Sequence, residues 1–147
     1  MKKSLSIFLF SILFLAVSCS WTDKNENNLS AKDLSFIRSL GILDTDEKIL
    51  LFESNGGISG LKQSGNFVTD KRVASYWIEN KQTELNFSFY WQIDSMKLND
   101  KTTAVTMASS ITIYAHDNTS FELYVDADSA RLNQFFNQTV QLWEKNK

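Results

Sequence analysis

Few residues in this chain are equipped for chemistry. Its 147 residues include one cysteine, Cys19, and one histidine, His116. A zinc site built from several His or Cys ligands is therefore excluded by count. A serine-histidine-acid relay would have to use His116, and no nucleophile elbow accompanies it, so a surface histidine at a loop edge is expected. The acidic run Asp44, Asp46, Glu47 lacks the ligand spacing of a calcium loop and its closing glutamate, and reads as a solvated turn before a strand. Three glycines in Ser54-Asn55-Gly56-Gly57-Ile58-Ser59-Gly60 suggest a phosphate cradle. No helix start or Lys-Ser/Thr pair follows them, so a connecting loop is expected instead. The strand-borne acids Glu53, Glu79, Asp94 and Glu122 would form a catalytic pair only if the fold brought them together. The expectation is no catalytic residue, no metal, no cofactor and no enzymatic activity.

Cys19 has a different significance. Lys2 and Lys3 begin a signal-like segment, Leu5 to Val17 is apolar except for Ser6 and Ser11, and Ser18 precedes the cysteine. Thirteen residues are too few for a finished transmembrane helix, which needs about 20. Leu15-Ala16-Val17-Ser18-Cys19 resembles the lipobox of bacterial lipoproteins, with Ala16 where the usual leucine would stand. The resemblance implies removal of residues 1–18, acylation of Cys19, and attachment to a membrane of the cell envelope through lipid chains, the outer membrane above all. Residues 19–30 are polar and Asn-rich and read as a flexible tether. Residues 31–147 then form one domain.

Losing Lys2 and Lys3 from the 15 basic residues leaves 13 against 17 acidic ones, a net charge near −4. That balance argues against nucleic acid and against attraction to anionic lipid. Aromatic residues make up 13% of the chain and proline is absent, so core material is ample.

The elements follow from periodicity. Ser30 and Asp33 form a capping-box-like start, Leu34, Ile37 and Leu40 fall at helical spacing with Phe36, and Gly41 stops the helix. Lys48 to Glu53 reads as a buried strand with apolar residues on both faces. Next comes a hairpin, with one strand up to Val68, a turn at Thr69-Asp70-Lys71-Arg72, and a second strand from Val73. A two-residue turn at Asp70-Lys71 pairs Phe67 with Ala74 and Gly65 with Tyr76, and sets Trp77 near Ser64 on the opposite face. Leu85, Phe87, Phe89, Trp91 and Ile93 alternate cleanly, which predicts one long strand with that face in the core. Val105, Met107, Ile111, Ile113 and Ala115 continue an inward face, followed by Phe121, Leu123 and Val125. Keeping both sets on one side pairs Ala115 with Phe121 and Ile113 with Leu123, leaving His116 to Ser120 as the loop. Asp126 or Asp128 caps a final helix with the stripe Leu132, Phe135, Phe136, Val140, Trp143.

These elements alone give a mainly β fold, a curled antiparallel sheet or small barrel closed by a C-terminal amphipathic helix and preceded by a short N-terminal helix. Gly65-Asn66-Phe67 leading into Thr69-Asp70-Lys71-Arg72 resembles the strand and Thr-x-x-Arg turn of bacterial pleckstrin-homology-like (PH-like) domains. The likeness extends over residues 44–145. It implies a bent barrel of about seven strands plugged by the last helix, with Gly65, Phe67, Thr69, Asp70, Lys71 and Arg72 as fold markers rather than a site. Phosphoinositide recognition is not implied, because only Lys62 stands by the first inter-strand loop. The expected role is protein binding or scaffolding for another envelope protein, with carriage of a small apolar ligand, or hydrolysis by surface carboxylates, as alternatives. When cells are grown with a radioactive fatty acid, the wild-type chain should take up label and Cys19→Ala should not; an unlabelled wild type contradicts anchoring.

Overall fold

The computed structural model describes residues 29–54, 60–102 and 108–147. The expected leader, Cys19, the tether up to Asn28, residues 55–59 of the expected glycine-containing loop, Val105 and Met107 lie outside the described residues.

Helix α1 (Ala31–Ser39) starts as its sequence dictates. The Ser30 hydroxyl accepts from the Asp33 amide at 3.2 Å, and the Asp33 carboxylate accepts from the Ser30 amide at 3.1 Å. Leu29 and Leu34 occupy the two staple positions around this cap and share one apolar cluster, so the folded unit begins before residue 31. Gly41 takes φ +78 and turns the chain away.

Among the described residues seven strands follow, in two antiparallel sheets. The first holds β1 (Ile49–Glu53), β2 (Ser64–Thr69), β3 (Arg72–Glu79) and β4 (Gln82–Phe89) in that order, with a four-residue helix α2 (Gly60–Gln63) before β2. A 3-10 turn at Tyr90–Gln92 leads to the second sheet, ordered β5 (Ile93–Asn99), β6 (Ser109–Ala115), β7 (Ser120–Val125). Helix α3 (Ser129–Asn146) ends the chain, its first turn capped by Asp128, whose carboxylate accepts from the Arg131 amide at 2.9 Å. None of the described helices is long and apolar enough to cross a membrane.

The β2–β3 hairpin has the expected register, with Phe67 opposite Ala74 and Gly65 opposite Tyr76. A Cβ on Gly65 would stand 2.6 Å from Tyr76 Cε1, so the ring lies directly on the glycine and no larger residue fits. The Tyr76 hydroxyl donates to the Leu61 carbonyl, and burial pushes its pKa well above the ordinary tyrosine value.

Strand β1 is packed on both faces as expected, with Ile49 and Phe52 in one cluster and Leu51 against the other, although it lies at the edge of its sheet with a register shift between Ile49 and Leu51. Two expectations need correction. The long strand through Ile93 is two strands: β4 stops at Phe89, the 3-10 turn intervenes, and Ile93 opens β5, which periodicity did not separate. The last hairpin is tighter by one pair, with Ile113 opposite Phe121, Ile111 opposite Leu123, Thr112 opposite Glu122 and Ser110 opposite Tyr124. The cause lies at the turn. The Asp117 carboxylate accepts from the Thr119 amide and hydroxyl, Asn118 adopts φ +65, and the Ala115 amide reaches the Thr119 carbonyl at 2.9 Å. A two-residue slip keeps every side chain on its original side, so alternation was blind to it.

Each face of the first sheet has its own cover. Ile37, Ile42 and Leu43 pack on Phe52, Phe67, Ala74 and Tyr76. On the other face Val68 and Val73 join Tyr90, Ile93, Ile111, Ile113, Leu123, Val125 and the α3 residues Leu132 and Phe135. Arg131 grips Glu53 with two 2.9 Å bonds, pinning the start of α3 to β1. Ser129 donates to Asp100 at 2.7 Å, tying α3 to the end of β5.

Candidate functional site

The sequence pattern makes Arg72 a strand-end residue and the run Asp44, Asp46, Glu47 a solvated turn. The structure overturns the second reading for Glu47, which is fully buried. Arg72 is buried too. Its Nε donates to Glu47 Oε1 at 2.9 Å, and one terminal nitrogen lies 2.8 Å from Glu47 Oε2 and 2.6 Å from Asp44 Oδ2. Glu47 also accepts from the Thr69 hydroxyl and, at 3.2 Å, from the Asp44 amide. Every lone pair facing the protein is thus engaged, which is the condition for keeping a charged pair out of water. The fork geometry explains arginine here; a lysine ammonium offers no planar pair of donors.

Thr69 completes the turn. Its hydroxyl accepts from the Lys71 amide at 3.0 Å and the Arg72 amide at 2.9 Å, while the Tyr90 hydroxyl donates to its carbonyl at 2.5 Å. Asp70 bonds the Lys48 amide at 3.1 Å, and Lys71 meets Asp46 at 2.9 Å on the surface. That contact holds the Asp46 carboxyl below its usual range. The locally basic turn is therefore neutralised by the preceding acidic loop. Thr69, Asp70, Lys71 and Arg72 come together with Asp44, Asp46 and Glu47 as a structural clamp, and Gly65 and Phe67 stand further along the same hairpin.

The guanidinium of Arg72 also lies 4.3 Å from the centroid of Phe89 and 5.2 Å from that of Phe87. Phe87 meets Phe89 edge-on at 5.9 Å, and Phe89 stacks on Trp91 at 6.2 Å with 9° between planes. These are the residues expected in the core. Instead Leu85 is 38% exposed, Phe87 45% and Trp91 68%. The reason is width. Strands lie about 4.8 Å apart while a helix is about 10 Å across, so one short helix covers two to three strands. The α1 side of the sheet is covered over β1, β2 and β3, and the outermost strand β4 is left bare.

On its opposite face β4 carries Glu84 opposite Trp77 and Asn86 opposite Ser75. That face borders a cleft of about 1040 Å³ between the two sheets, whose far wall is Glu122 and Tyr124 of β7 and whose floor is Asp126 to Ser129. The Asn66 side chain bridges the walls by donating to the Tyr124 carbonyl. Periodicity placed Trp77 and Glu122 on outward faces but gave no sign of a shared cavity, which depends on how the two sheets meet.

The four acids considered as a catalytic pair go to separate partners: Glu53 to Arg131, Glu79 to the Trp77 indole at 3.3 Å, Asp94 to His116 at 3.5 Å, and Glu122 to Ser110 and Thr112. Among the described residues no group of three or more His, Cys, Asp or Glu is placed to hold a metal ion. No family model, curated protein or solved structure matches the chain.

Removing one partner of a buried pair leaves the other charge stranded. Arg72→Met should therefore lower unfolding stability by about 3–5 kcal/mol in urea, while Lys71→Met, whose ion pair is exposed, should leave the midpoint where it was. Equal effects of the two substitutions would contradict the clamp.

Proposed function

We propose that this is a lipid-anchored protein of the bacterial cell envelope, carried on Cys19, whose domain has PH-like architecture and binds another envelope protein along strand β4. The observation that carries this reading is the apolar ladder of exposed Leu85 and Phe87 and half-buried Phe89 on a strand at the edge of its sheet, continued by exposed Trp91 in the 3-10 turn that follows. Contiguous exposed apolar side chains mark an interaction surface. An edge strand adds unpaired backbone groups on which an extended segment can lay itself, with side-chain pockets giving selectivity. The partner in this reading is therefore an extended, alternating apolar segment. Stacking on Arg72 fixes Phe87 and Phe89 in advance, which lowers the ordering cost of binding.

The PH-like assignment, with its bent seven-stranded barrel closed by the last helix, is supported by the division into four and three antiparallel strands followed by a C-terminal helix. The Gly65-x-Phe67 strand and the Thr69-x-x-Arg72 turn support it at residue level. A carrier of apolar ligands would use a cavity between sheet and α3, yet Leu132 and Phe135 are buried in the core at that place.

Trp91 and Leu85 are exposed, so Trp91→Ser and Leu85→Ser should leave the fold intact. The acylated chain, cross-linked in intact envelopes and recovered, should bring one protein with it in stoichiometric amount, and the double variant should lose it. Repeated recovery of nothing by the folded wild type, or equal recovery by the variant, would overturn the reading.

A further inference from the structure

We propose that the cleft between the two sheets binds a small organic cation bearing primary ammonium groups, seated between the Trp77 and Tyr124 rings and the Glu84 and Glu122 carboxylates. The cleft is large enough for a ligand, at about 1040 Å³. Its walls come from separate sheets. Trp77 and Glu84 are cross-strand partners on β3 and β4, and Glu122 and Tyr124 lie two residues apart on one face of β7.

The charge inventory sets the ligand class. Among the described lining residues four are carboxylates, Glu84, Glu122, Asp126 and Asp128, against the one ammonium of Lys101. Asp128 is occupied as the cap of α3. Glu84 accepts from an Asn86 amide at 3.0 Å and Glu122 from the Ser110 and Thr112 hydroxyls at 3.3 and 3.4 Å, all neutral donors, and among the described residues neither acid forms an ion pair. The two acids act on the same place: the Tyr124 hydroxyl is held above its ordinary pKa by a hydrogen bond to Glu122, then by burial, then by the charges of Glu122 and Glu84. An anion entering here meets repulsion. A neutral sugar gains stacking but leaves the field unanswered. A cation is drawn by the carboxylates and by both ring faces.

This site is separate from the apolar ladder. Glu84 and Asn86 project from one face of β4, and Leu85 and Phe87 from the other, so a ligand and a protein partner would read opposite sides of one strand.

The test is a titration of the ¹⁵N-labelled chain with spermidine, followed by NMR, with glucose as the neutral control. Spermidine should move the Trp77 indole and Asn86 side-chain signals saturably, and more weakly as salt rises. Glu84→Gln, at an exposed position, should weaken binding roughly five-fold, and Glu84→Gln with Glu122→Gln at least ten-fold. Glucose should leave these signals in place. The proposal falls if glucose moves them equally, or if spermidine shifts are spread over the acidic surface and survive both substitutions. Absence of any shift in the folded wild type also overturns it.

Discussion

The buried Glu47–Arg72 pair is the interaction on which the rest of this structure depends. Removing two ions from water costs several kcal/mol each, and good geometry is the only repayment. The pair therefore tolerates one arrangement: the Asp44–Lys48 loop against the β2–β3 turn, with Thr69 supplying its hydroxyl and Asp44 both an amide and a second carboxylate. Once that is set, β2 and β3 leave the turn in register and the Tyr90 hydroxyl can close on Thr69. The pair contributes less through net stability than through excluding alternatives, since a shifted turn would strand a charge.

Its second consequence is at the surface. The plane of Arg72 is the floor on which Phe89 and Phe87 rest, and Trp91 stacks on Phe89 in turn. Exposed aromatic side chains would ordinarily sample many rotamers or collapse into the core. Here they are held outward by a cation that is itself held inward. One strand then carries two chemistries, an apolar ladder on the α1 side and the polar wall of the cleft on the side facing β7.

Local sequence carried the fold well where the determinants are local. The capping box at Ser30, the stop at Gly41, the Asp70-Lys71 turn and the Gly65–Tyr76 contact all rest on residues within a dozen positions of one another. The Asn80-Lys81 turn, with φ of 51 and 65, lacks the glycine that usually announces such a hairpin, and so the end of β3 was not marked. The candidate site was much less legible. Alternation from Leu85 to Trp91 identifies a strand and its two faces, but which face is covered depends on the reach of α1. Nothing near Glu47 signals that its partner is 25 residues away. The cleft depends on the meeting of β7 with β2 and β3, a contact between strands far apart in the chain.

Hydrogen exchange along β4 in the wild-type chain and in Arg72→Lys tests the central claim most directly. Lysine keeps the charge but loses the fork and the stacking surface. If the clamp holds the ladder, the amides that bond β3 from this strand and its end, Asn86, Ser88 and Tyr90, should exchange much faster in the variant, while those of Ile111 and Ile113 in β6 change far less. Unchanged exchange at these three positions, or the same acceleration in both sheets, would contradict it.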